Sequence, residues 1–186
     1  MALREVLCSL LLDGPAHGYQ LQATLEAELG PLWVTRASQV YLTLGRMQRD
    51  GLVVSRRVRQ ATRPDRQLLR LTGRGRAVAT EWLFAPGPAE EFVVRLALAR
   101  LVLPERFAEL AALILEERTR ALRALRALRD EVDGGFQREA VDAELHRVHG
   151  ELRWLAGVRD RSEQLVAMPR GTRPRSSGGG KVAGLD

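Results

Sequence analysis

Apolar residues recur every three to four positions along most of this chain, and the recurrence breaks at glycine and proline. The spacing predicts a first amphipathic helix over about Leu3 to Leu12, ended by the turn signal DGPAHG, and a second from about His17 to Leu29, stopped by Gly30 and Pro31. A third helix starts near Thr35 or Ser38, either of which can cap the free amides of a first turn, and ends at Asp50-Gly51. LVVSRRV and RQLLRLT read as two strands around a turn containing Pro64 and Asp65, and TGRGRAVATEWL resumes helix. Helix, helix, helix, hairpin, helix is the outline of a winged helix-turn-helix.

Pro86, Gly87 and Pro88 punctuate the chain, and beyond them the pattern is wholly helical: EEFVVRLALARLV, then two long segments parted by Gly134-Gly135. In the first long segment Phe107, Ala111, Ile114, Arg118, Ala121, Leu125, Leu128 and Val132 keep a 4-3-4-3 spacing, as do Val141, Leu145, Val148, Leu152 and Leu155 in the second. An antiparallel hairpin buries one such seam. Leu110, Leu113, Leu122, Trp154 and Val158 fall beside it and predict apolar surface for a second subunit to cover. From Met168 the chain turns to Gly, Pro, Ser and basic residues, a composition that predicts disorder. The expected organisation is a mainly α protein: a winged helix-turn-helix domain at 1–85, a helical dimerisation and possible effector domain at 86–167, and a disordered basic tail at 168–186.

Charge adds to the pattern through its distribution. The chain carries +6 overall with a single lysine, Lys181, and an arginine-rich genome would produce that by itself. A genome-wide bias raises arginine everywhere, yet residues 1–85 carry 12 bases and 7 acids, whereas 86–167 carry 13 and 15. Residues 36–76 concentrate 11 arginines against two acids. That local charge suffices for several phosphate contacts. The only cysteine, Cys8, lies in the apolar run LREVLCSLLL and reads as a small buried hydrophobe, so no disulfide framework is available. The same run is too short to span a membrane and lacks the features of a signal peptide, which predicts a cytoplasmic protein.

On the third helix, at about 100° per residue, Val40, Leu44, Met47 and Gly51 share one narrow face. Ser38, Leu42, Gly45, Arg46 and Arg49 lie opposite, with Gln39, Tyr41 and Thr43 at the flanks. These types suit a duplex: Gln39 matches the edge of adenine, Arg46 that of guanine or a phosphate, and Leu42 a thymine methyl. Tyr41 is placed against phosphate. Gly45 lets the helix backbone approach without a side chain between. In the wing, Arg56, Arg57, Arg59, Arg63 and Arg66 suit phosphate or the minor groove, with Arg63 and Arg66 at or near its tip.

LLLDGPAHGYQLQATLE, SQVYLTLGRMQRDGLV and RPDRQLLRLTGRGRAV resemble, in order and spacing, the PadR family of bacterial transcription regulators, across roughly Leu3 to Leu165. His17-Gly18-Tyr19, the Tyr-x-x-Leu of Tyr41 and Leu44, and Asp50-Gly51-Leu52 are specific in combination. One departure stands out: the family usually has proline after the recognition-helix tyrosine, where this chain has Leu42. The resemblance implies a homodimer on an inverted-repeat operator, usually as a repressor. Taken with the helix face and the wing, the expected DNA-binding residues are Tyr19, Ser38, Gln39, Tyr41, Leu42, Thr43, Arg46, Arg49, Arg63 and Arg66. The resemblance also implies a small aromatic or amphipathic effector near the junction of the two modules; no effector signature is legible in the sequence, and Trp33, Trp82, Phe92 and Trp154 are candidate lining residues that each read more readily as core. No cofactor and no metal is expected.

An enzyme would need a nucleophile with a base, or paired carboxylates in a cleft, and no such arrangement is legible. His146 and His149, between Glu144 and Glu151, read as a hydrophilic helix face rather than a metal site. RALRALRALR drifts around a helix with its period of three and is flanked by acids, which makes it a salt-bridged outer face. The remaining alternative is an adaptor that uses a winged scaffold for protein contacts without binding DNA. Charge concentrated over one helix and the wing argues against it.

Overall fold

In the computed structural model, which describes residues 3–30, 33–58 and 66–166, the winged outline is present. Helix α1 (Leu3–Leu10) runs into a 3-10 turn (Leu11–Asp13), a short strand β1 (Ala16–His17), and helices α2 (Gly18–Leu29) and α3 (Ala37–Arg49). Strands β2 (Val53–Val58) and β3 (Arg66–Leu71) form the wing, and α4 (Gly73–Phe84) closes the unit. The sheet is antiparallel in the order β1-β3-β2, with Ala16 opposite Leu69 and Val53 opposite Leu71. The expected hairpin pairs as read, but β1 was not expected, because two residues are too few to show an alternation.

Apolar burial holds this unit together. Val6, Leu7, Leu25, Leu29, Val40, Met47, Leu52 and Leu83 are fully buried in one cluster with Cys8. Burial pushes the Cys8 thiol up to about 12, so it stays protonated and acts as a packing group. Thr72, the residue before α4, accepts a hydrogen bond from the Gly75 amide at 3.1 Å and so caps the helix.

The second half consists of α5 (Phe92–Val102), α6 (Phe107–Glu131) and α7 (Gly135–Val166). Helices α6 and α7 form the expected antiparallel hairpin, turning at Gly134 and Gly135, both with positive φ. Helix α5 belongs to both halves: Val94 and Leu98 join the winged core, whereas Phe92, Leu96 and Ala99 pack with Phe107, Leu110, Ile114 and Leu155. The heptad reading needs two corrections here. Leu110 and Leu122, expected beside the seam, are buried within the chain, because α5 covers the first and Val141, Leu145 and Val148 surround the second. Leu128, expected in the seam, is exposed, as are Leu113 and Trp154. The expected tail at 168–186 lies outside the described residues.

Between the two apolar layers of the hairpin sits a charged one. Arg118 is buried within the seam, its Nη1 3.9 Å from Glu151 Oε2, and Arg147 bridges Glu144 and Glu151. Arg118 Nε and Glu151 Oε2 are buried without a hydrogen-bond partner. Among the described residues no helix is long and apolar enough to cross a membrane.

Candidate nucleic-acid interface

The turn between α2 and α3 is anchored by Trp33, whose amide donates to the Leu29 carbonyl at 2.7 Å while its ring is buried. The chain then passes outward through Val34 and enters α3 at Arg36, in extended conformation, whose carbonyl accepts from the Gln39 and Val40 amides at 2.9 and 3.3 Å. The expected cap is therefore corrected: neither Thr35 nor Ser38 holds that position, and no side chain caps α3. Ser38 lies inside the first turn with its hydroxyl on the exposed side.

Val40, Leu44 and Met47 are buried along one stripe. Gly51, expected on that stripe, lies past the helix end and is exposed. Its φ of +69° lets the chain reverse, and the following Leu52 amide returns to the Met47 carbonyl at 2.9 Å. The opposite side of α3 exposes Ser38, Gln39, Tyr41, Leu42, Arg46 and Arg49, with Thr43 and Gly45 half-buried. A Cβ at Gly45 would meet nothing within 4 Å, so this stretch of backbone is open to an approaching surface.

Tyr19 and Tyr41 stand beside the start of α2. The His17 amide donates to Gln20 Oε1 at 2.8 Å, and His17 Nδ1 donates to the Gln67 carbonyl at 2.9 Å, tying this corner to the wing. Tyr19 stacks on the His17 ring at 5.7 Å between centroids. Gly18 permits the close approach of Tyr41: a Cβ there would lie 2.9 Å from Tyr41 Cε1, so the ring would have to shift. His-Gly-Tyr thus positions both tyrosines on one open cleft of about 430 Å³, which Gln48 and Gln67 also line.

In the wing, Arg56 and Arg70 are exposed on the same face of the hairpin, opposite Leu68 and Val54 respectively. Arg66 begins β3, but its side chain, like all of Arg63, lies outside the described residues. One arginine of the basic stretch is structural. Arg74 Nη1 donates to the Asp50 carbonyl at 3.1 Å and so serves the end of α3.

The four aromatic residues named as candidates for an effector site, each also readable as core, do not all gather at one site. Trp33 borders a cleft on α3, whereas Trp82 lines another of about 330 Å³ between α4 and α5 and donates from Nε1 to the buried Glu91 at 2.9 Å. Phe92 is buried and meets the exposed Trp154 edge-on at 5.8 Å. His146 and His149 each turn Nδ1 back to the carbonyl one helical turn earlier, of Asp142 and Leu145. Val34, which the sequence pattern passed over, is 95% exposed beside α3. A lone valine in a loop-like segment carries no periodic signal.

Residues 6–81 match the model of the transcriptional regulator PadR-like family. The chain is 29% identical over 91 residues to the negative transcriptional regulator PadR of Bacillus subtilis, a match covering 49% of this chain and 50% of that protein. The chain spans about half the length of the curated relatives it matches. Among solved structures it is similar to Bacillus subtilis PadR in complex with operator DNA, at a TM-score of 0.45 and 20% identity, covering 87% and 99% of the two chains. It is also similar to the same protein in complex with p-coumaric acid, at a TM-score of 0.40 and 20% identity, covering 88% and 99%. Over residues 6–81, this chain is similar to the transcriptional regulator PadR-like family.

Proposed function

We propose that this protein is a DNA-binding transcriptional regulator, acting in the cytoplasm as a homodimer that represses by occupying an inverted-repeat operator. One observation carries the reading. Helix α3 buries Val40, Leu44 and Met47 and presents Ser38, Gln39, Leu42, Arg46 and Arg49 outward, beside a hairpin bearing Arg56 and Arg70. Amide and guanidinium groups on an exposed helix suit base edges, and the surrounding arginines suit phosphates. In this reading Tyr19, Tyr41, Arg63 and Arg66 contact the backbone, and Thr43 lies at the groove edge.

The helical half, residues 86–167, supplies the dimer contact, and the exposed Leu113 and Trp154 support a second copy as the occupant of that surface. Two-fold symmetry then places the recognition helices about 34 Å apart, with half-sites roughly 10 base pairs apart. The cleft between α4 and α5, with Trp82 on its wall, is where a small aromatic or amphipathic effector would shift one half against the other.

Selection of genomic fragments by the purified protein tests this reading. Enrichment of inverted repeats with that spacing, at promoters that include its own, is expected. A protein that captures other proteins yet enriches no DNA contradicts it and favours the adaptor.

A further inference from the structure

The exposed surface of α3 continues past the helix. Val34, two residues before Arg36, is 95% exposed, and Leu42 is 55% exposed. Both line one open cleft of about 410 Å³, together with Trp33, Gln39, Thr43 and Arg46. Keeping two branched hydrocarbons in water is unfavourable in the free protein, and the gain is recovered only when something apolar covers them. Valine has few rotamers to lose on being covered.

What can cover them is limited by their neighbours. Arg36, Arg46 and Arg49 are exposed on and beside the same helix, so the occupant is anionic overall. Gln39 and Arg46 present hydrogen-bonding groups on the same cleft, so the occupant carries a small apolar group next to donors and acceptors. A thymine in the major groove has that combination: a C5 methyl beside its O4, with N6 and N7 of the paired adenine adjacent.

We infer that Val34 and Leu42 together form an apolar notch that receives the C5 methyl of one thymine in each half-site, with Gln39 facing an adenine beside it. The notch rests on the proposal that α3 reads DNA, and adds to it a residue outside the helix. It also gives the exposed Leu42 a specific task. One buried methyl contributes roughly a fourfold preference per half-site.

Thymine-to-deoxyuridine interference on a selected promoter fragment tests it. Deoxyuridine lacks only the methyl, so fragments carrying it at a read position are depleted from the bound fraction. Wild-type protein is expected to show one such position in each half-site, and Val34→Ala and Leu42→Ala are each expected to abolish the depletion there. Val34 is so exposed that Val34→Ala leaves the melting temperature unchanged, which separates loss of reading from loss of folding. Binding with no sensitive thymine overturns the notch while leaving DNA binding intact, and this is also the result if the cleft takes a protein partner. Sensitivity that persists in Val34→Ala removes Val34 and overturns it equally. Absence of any bound fraction removes both the notch and the DNA-binding proposal.

Discussion

Arg95 holds the Leu83 carbonyl with both Nε and Nη2, at 3.0 and 2.7 Å, and the same Nη2 reaches the Ala85 carbonyl. Leu83 lies in the last turn of α4, where carbonyls have no partner within the helix, and Arg95 comes from α5. A residue from the second half therefore completes the helix that ends the winged unit. Burial lowers the Arg95 pKa from its ordinary value, and the nearby Glu91 and Glu117 oppose that shift.

Replacing Arg95 by Met keeps the hydrocarbon stem and leaves the Leu83 carbonyl unsatisfied. The expected cost is about 1–3 kcal/mol. Arg95→Lys should recover little of it, because one ammonium does not reproduce the fork that spans both carbonyls. Urea denaturation checks this, and a lysine variant as stable as wild type would contradict it.

Arg118 and Glu151 are expected to behave as a pair. Glu151→Ala strips a buried guanidinium of its carboxylate and should destabilise by roughly 3 kcal/mol, at the lower end for a buried pair because the contact is long. The double change to Met and Leu removes both charges and should recover most of that loss. A double-mutant cycle in urea reads the coupling; additive losses would show that the two do not interact.

The far end of the hairpin predicts acid sensitivity. Arg129 Nε donates to Asp142 and, first through that hydrogen bond, holds its carboxyl below the ordinary 3.8. A depressed folded pKa contributes stability that is present above the unfolded value and lost as pH falls through the folded one. Melting temperature should therefore fall below about pH 4, and Asp142→Asn should shrink the fall. An identical acid profile in the variant would rule this pair out as a source. Salt should weaken it, since both partners are solvent-accessible.

Periodicity made most of this fold legible. The stripe Val40, Leu44, Met47 placed α3 and its exposed side, and the strand-like runs LVVSRRV and RQLLRLT around Pro64 and Asp65 placed the wing. What escaped depends on contacts distant in sequence. β1 forms by pairing with Leu68 and Leu69 of β3, and Leu110 is buried where α5 and Leu155 of α7 pack against it. Arg74 and Arg95 were counted as charge, yet they satisfy helix-end carbonyls, a role set by where α4 and α5 dock. Val34 was invisible for the opposite reason: nothing in one valine reveals whether the turn holding it points inward or out.

The central claim is that exposed polar groups on α3 read sequence while surrounding arginines supply the grip. Titrating the full-length protein against its own promoter fragment and a shuffled duplex, at about 50 and about 200 mM salt, tests it most directly. Binding to the promoter fragment is expected to be tighter at both concentrations and to weaken by roughly a thousandfold or more with salt if six or more phosphates are engaged. Gln39→Ala should narrow the gap between the two duplexes, and Arg56→Ala should weaken both alike. Equal affinity for the two duplexes, or binding indifferent to salt, would contradict the account.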